Sequence, residues 1–139
     1  MALPGSDRAS RSQDLPPDPR SPAIARVLVR AVCQAWEMTG DLCDDAALVV
    51  TELVANVVDH AATSCRVKVD ADGRELRIEV RDFHPCPPPR PGPVDLSAVR
   101  GRGLQVVAAL STRWGVIEFA DGKCMWAVLA PPIPRGEPL

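Results

Sequence analysis

Fifteen prolines, roughly twice the average usage, stand in three blocks of a 139-residue chain. Five lie between Pro4 and Pro22, six between Pro85 and Pro93, and four between Pro131 and Pro138. Proline has no amide donor and breaks helix and central-strand interiors. Regular structure must therefore sit in the two proline-free stretches, 23–84 and 94–130. Between them these hold roughly a hundred residues, enough for one modest core. The outer blocks predict a disordered tail over 1–21 and a second tail over 131–139, with a single domain over 22–130. The middle block, HPCPPPRPGP, reads as a loop inside that domain, and long interior loops are often functional.

Charge and cysteine usage narrow the class. A net charge of -2 argues against an electrostatic nucleic-acid partner. Apolar runs, such as the one starting at Ala46, fall far short of the roughly 18 residues that cross a bilayer, so no membrane is expected. The opening MALPGSDRAS lacks the apolar stretch of a secretion signal. Five cysteines without a C-x-x-C spacing fit neither a disulfide framework nor a zinc clip, and suit a reducing cytoplasm.

Periodicity supplies the elements. Ser21-Pro22 is a helix start, and Ile24, Val27, Leu28, Ala31, Val32 and Ala35 follow at helical spacing, with Arg26 and Arg30 opposite and Gly40 as the stop. A second helix begins near Asp41 or Asp44 and runs to about His60, its apolar row being Ala47, Val50, Val54, Val57 and Val58. Cys65, Val67 and Val69 alternate with polar residues, Asp72-Gly73 turns the chain, and Leu76, Ile78 and Val80 alternate again. A third helix follows Gly101-Arg102-Gly103, with Leu104, Val107, Ala108 and Ser111 on one face. Strands near Trp114 to Ala120 and Lys123 to Leu129, joined at Asp121-Gly122, close the chain. Hairpins set apart from helices give an α+β two-layer sandwich, a mixed sheet covered by helices on one face.

The second helix carries an anomaly. Glu52, Asn56 and then Asp59 or His60 form a polar row on a helix otherwise rich in valine, leucine and alanine. Buried without partners, such groups cost several kcal/mol each. Either the row faces water, or it lines a site. In the second case Asn56 offers a neutral oxygen to a hard cation such as Mg²⁺, which takes its remaining ligands from phosphate and water. Glu52, one turn earlier, can orient or deprotonate a hydroxyl attacking a phosphoryl group. Asp82 ends a strand directly before the proline loop; it is either a turn aspartate or an acceptor for an exocyclic amine such as adenine's. Gly101-Arg102-Gly103-Leu104 is either a loop needing positive φ or an anion-binding approach to a helix N-terminus.

Taken together, these residues resemble the GHKL ATPase superfamily, specifically its small bacterial anti-sigma-factor type serine/threonine kinases. ELVANVVDHA (Glu52 to Ala61) is similar to the family's E-x-x-x-N box, GRGLQVVAALSTRWGV (Gly101 to Val116) to its second glycine box, and GKCMWAVL (Gly122 to Leu129) to its closing strand. The resemblance spans about Pro22 to Leu129. It implies a Bergerat, histidine-kinase-like fold that holds ATP between the helical layer and a lid. By that carry-over Glu52 is the base, Asn56 holds Mg²⁺, Asp82 reads adenine, and Gly101, Arg102, Gly103 and Leu104 border the phosphates. His60 is a phosphate contact or a helix cap. The family's Asp-x-Gly-x-Gly is here Asp82-Phe83-His84-Pro85-Cys86, which keeps the aspartate and drops both glycines. Cys124 stands where threonine is common near the base. Trp114 and Trp126 are expected in the core, and Lys123 in solvent beside a tight turn or against nucleotide.

The implied activity is ATP-dependent phosphorylation of a STAS-domain anti-anti-sigma factor by a kinase that also sequesters a sigma factor, with homodimerisation as a further implication. A different class competes: a non-catalytic ATP-binding antagonist that only sequesters its partner. A histidine-kinase catalytic fragment fits less well, because no phosphoacceptor helix pair precedes the domain.

Overall fold

The computed structural model describes residues 8–38, 40–84 and 103–131. In chain order they form β1 (Arg8–Leu15), α1 (Ser21–Ala35), α2 (Asp41–Asn56), a π-helical turn (Val57–Ala61), β2 (Cys65–Asp72), β3 (Glu75–Asp82), α3 (Gly103–Leu110), β4 (Arg113–Phe119) and β5 (Gly122–Leu129). The expected helices and hairpins are all present, and the five strands make one sheet in the order β1-β2-β3-β5-β4. Every pairing is antiparallel, which corrects the mixed sheet expected from sequence. Two hairpins force antiparallel neighbours, and β5 returns beside β3 in the opposite direction.

Strand alternation decides which face is covered. Val67 and Val69 of β2, Ile78 and Val80 of β3, and Met125 and Ala127 of β5 point to one side. There they join Ala25, Val29 and Val32 of α1 and Val50, Leu53 and Val54 of α2 in a single core. Burying side chains of this size stabilises by about 1.5–3 kcal/mol each, which makes this layer the main source of stability. Trp114 packs against the same core. Trp126 does not, because it points to the other face, where Arg77 lies 4.7 Å from its ring and Gly115 leaves room for the indole.

Several boundaries differ from expectation for identifiable reasons. Residues 8–15, expected in the disordered tail, form β1, with Arg8 opposite Asp72 and Leu15 opposite Cys65. Ser21 is not the helix cap: Arg20 takes that position, while the Ser21 hydroxyl donates to the Pro16 carbonyl at 2.6 Å and anchors the corner. The buried face of α1 is Ala25, Val29, Val32 and Cys33, one position round from the row expected, and Val27 is 67% exposed. The first helix ends at Ala35, where Glu37 takes a left-handed φ of 54°; Gly40, at φ 72°, opens α2 instead of closing α1. Among the described residues no helix is long and apolar enough to cross a membrane.

Candidate functional site

Asn56 is the last α-helical residue of α2 and is 4% exposed. Its amide nitrogen donates to the Met125 sulfur at 3.7 Å, and its Oδ1 has no hydrogen-bond partner. A buried amide oxygen left unsatisfied costs about 1–3 kcal/mol, so a ligand that used it would recover that energy. Glu52 lies one turn earlier on the same helix face and is half-buried. Immediately after Asn56 the helix widens into the π-helical turn, a feature frequent at functional sites. That turn exposes Asp59 and His60 before Ala62, at φ 54°, ends it by donating its backbone N–H to the Val57 carbonyl.

Across from this turn, β3 and β5 bring a second polar group to the same face of the sheet. Asp82 closes β3, opposite Cys65, and is 1% exposed. Its Oδ1 accepts the Lys123 amide at 3.0 Å and the His84 amide at 3.4 Å. Its Oδ2 has Lys123 Nζ at 3.0 Å, an ion pair whose ammonium gives it no well-directed hydrogen bond. Gly122 makes the approach possible: a Cβ there would strike the Asp82 carbonyl and lie 2.8 Å from Oδ1, and its φ of 151° disfavours any side chain. Thr63 accepts the Phe83 amide at 3.4 Å, tying the end of β3 to the segment after the π-helical turn.

Asp82 stands on the sheet face that carries Met125, the residue Asn56 reaches, and Glu52 lies one turn before Asn56 on α2. Gly103 begins α3 and is buried, and Leu104 directs its side chain into the core, so α3 starts beside α2. His60 stands at the exposed rim. Gly101 and Arg102 lie outside the described residues. Cys124 does not join the group. With Met125 facing Asn56, alternation turns Cys124 to the opposite face, where its thiol meets Glu79 at 3.9 Å. Burial first, and then the Glu79 charge, hold that thiol above its ordinary pKa. Lys123, expected in solvent or against nucleotide, is half-buried and paired with Asp82, so it is not simply solvated. The same alternation, counted from a core Met125, would have put it beside Asp82.

The oxygen of Asn56 is the right kind of donor for Mg²⁺, a hard cation. Among the described residues no group of three or more His, Cys, Asp or Glu is placed to hold a metal ion, so such a cation would depend on phosphate and water for its other ligands. A cavity of about 330 Å³ lies elsewhere, against Pro16, Ile24 and Val27, and brings no convergent polar chemistry beyond the self-paired Asp18 and Arg20.

Comparison with known proteins bears on the family and the fold. A family model described as the histidine kinase-like ATPase domain matches residues 15–129. The uncharacterized protein SCO4941 of Streptomyces coelicolor is 33% identical over 94 residues, covering 64% of this chain and 84% of that one. Among solved structures, the RsbU and RsbW domains of Rv1364c from Mycobacterium tuberculosis are similar, with a TM-score of 0.68 at 17% identity, over 88% of this chain and 32% of that chain. This chain thus corresponds to about a third of that solved chain, and at such identity the likeness carries the fold alone. The chain belongs to the histidine kinase-like ATPase domain family and shares its fold with that solved chain.

Proposed function

We propose that this protein binds ATP with Mg²⁺ and acts in the cytoplasm as a serine/threonine protein kinase of the anti-sigma-factor type. Its substrate is a STAS-domain anti-anti-sigma factor, and the kinase also sequesters a sigma factor, so phosphorylation switches partners. One observation carries the reading: the buried, unpartnered Oδ1 of Asn56, one turn beyond Glu52, on a side chain that reaches Met125 on the sheet face that also carries Asp82. Family membership supplies ATP as the ligand class.

In this reading Asp82 accepts the exocyclic amine of adenine, and Gly101 to Leu104 and His60 border the phosphates. Mg²⁺, held in part by Asn56, would neutralise phosphate charge. Glu52 takes the proton of the incoming seryl or threonyl hydroxyl. That oxygen then bonds to the γ-phosphorus as its bond to the bridging oxygen of ADP breaks, and ADP leaves.

The test is phosphoryl transfer to a STAS-domain protein. Glu52→Gln should still bind ATP while transfer falls by about 10²–10⁴-fold, the usual contribution of a general base. Tight ATP binding by the wild type with no transfer to any STAS partner would instead establish the non-catalytic antagonist.

A further inference from the structure

We propose that Lys123 is a latch on the base-reading carboxylate: it must release Asp82 before a nucleotide with an exocyclic amine can bind. This inference rests on the nucleotide reading above and concerns the regulation of the same site.

The two oxygens of Asp82 are served differently. Oδ1 is held by two backbone amides, from Lys123 and His84, and these are fixed by the strand and its exit. Oδ2 is the other end of the carboxylate, and among the described residues its ion-pair partner is the Lys123 ammonium at 3.0 Å. That neighbour balances charge without supplying a directed hydrogen bond. Asp82 is 1% exposed, whereas the Lys123 side chain is 29% exposed, so the lysine can leave for water and the aspartate cannot.

An exocyclic amine would offer Oδ2 an aligned N–H donor, but a neutral one. Binding therefore exchanges a buried ion pair for a directed neutral hydrogen bond, and the ammonium regains its hydration. Breaking a buried pair leaves a charge that needs a replacement partner, which makes the exchange costly in the resting protein. Removing the lysine shifts this balance in two opposite directions. The nucleotide-free protein loses stability, because Asp82 is left uncompensated, while the nucleotide gains affinity, because it no longer displaces a partner. A lysine that merely supported the fold would lower both.

Binding of ATP and of purine riboside triphosphate, which lacks the exocyclic amine, to the full chain tests this. Lys123→Met should bind ATP at least tenfold more tightly than wild type, which is about 1.4 kcal/mol, yet melt at a lower temperature when nucleotide-free. The gain should be absent with purine riboside triphosphate. Lys123→Arg keeps the charge and should bind ATP no better than wild type. Equal or weaker ATP binding by Lys123→Met overturns the latch while leaving the nucleotide reading intact. No binding of either nucleotide to any variant removes both. Should Lys123→Met fail to fold, the wild type provides its own readout. Reductive methylation of Lys123 should speed up when ATP is added, and protection by ATP would overturn the proposal.

Discussion

The amide of Asn56 reaches across the core to the sulfur of Met125, a donor spent on a weak acceptor while the oxygen at the other end of the same side chain goes unused. A residue selected for packing alone would be apolar here, since leucine and valine fill the positions around it. The polar atom persists at an energetic cost, the pattern expected where stability is traded for a ligand contact.

Asn56→Leu should therefore separate stability from binding. Removing an unsatisfied buried amide should leave unfolding free energy unchanged or raise it by about 1–2 kcal/mol. Mg²⁺-dependent ATP binding, followed by titration calorimetry, should disappear. A loss of more than about 2 kcal/mol in urea unfolding would mean that the amide is structurally required.

Gly122→Ala should damage both the fold and the site. The added methyl meets the Asp82 carbonyl, a backbone atom that cannot swing aside, and φ at this position is 151°. A cost of about 2–4 kcal/mol is expected from overpacking and backbone strain combined. Gly115→Ala is the control: its Cβ would lie 2.9 Å from the Trp126 indole, a side chain that can shift, so the loss should be smaller. Thermal melts of the two variants decide the order.

The edge strand β1 makes its own prediction. Leu15 is 2% exposed and belongs to the core, although it lies in the proline-flanked N-terminal stretch. Leu15→Ala should cost about 2–4 kcal/mol. Deleting residues 1–15 should lower the melting temperature as well. Equal melting of all three proteins would show that β1 contributes nothing to the fold.

Alkaline pH should weaken the fold through its buried thiols. Burial pushes the Cys33 thiol up from 9.0 to about 12, with neighbouring Cys43 adding to the shift, and burial likewise pushes Cys65 up to about 11. Between those values and 9.0 the unfolded chain releases protons that the folded chain retains. Stability is therefore fully present below about pH 9 and falls as pH rises toward 11–12. Urea midpoints across that window, compared with Cys33→Ala and Cys65→Ala, should show a shallower decline in each variant.

Much of this protein could be read along the chain because the relevant signals are local. The alternation in Cys65 to Val80 produced the first hairpin, and the i, i+4 spacing of Glu52 and Asn56 put an acid and an amide on one helix face. These depend only on backbone sterics and periodicity, so they survive without knowledge of neighbours. The tertiary structure decided the rest. β1 is polar at nearly every position and exists because β2 offers an unpaired edge, a partnership of backbone groups that side-chain pattern does not encode. Which face of β5 looks toward the helices was settled by packing Met125 against Asn56, and that choice sent Cys124 away from the site and delivered Lys123 to Asp82. A one-residue change of facing reverses every side chain in a strand. Three-dimensional packing therefore decided which of two adjacent residues pairs with the buried carboxylate.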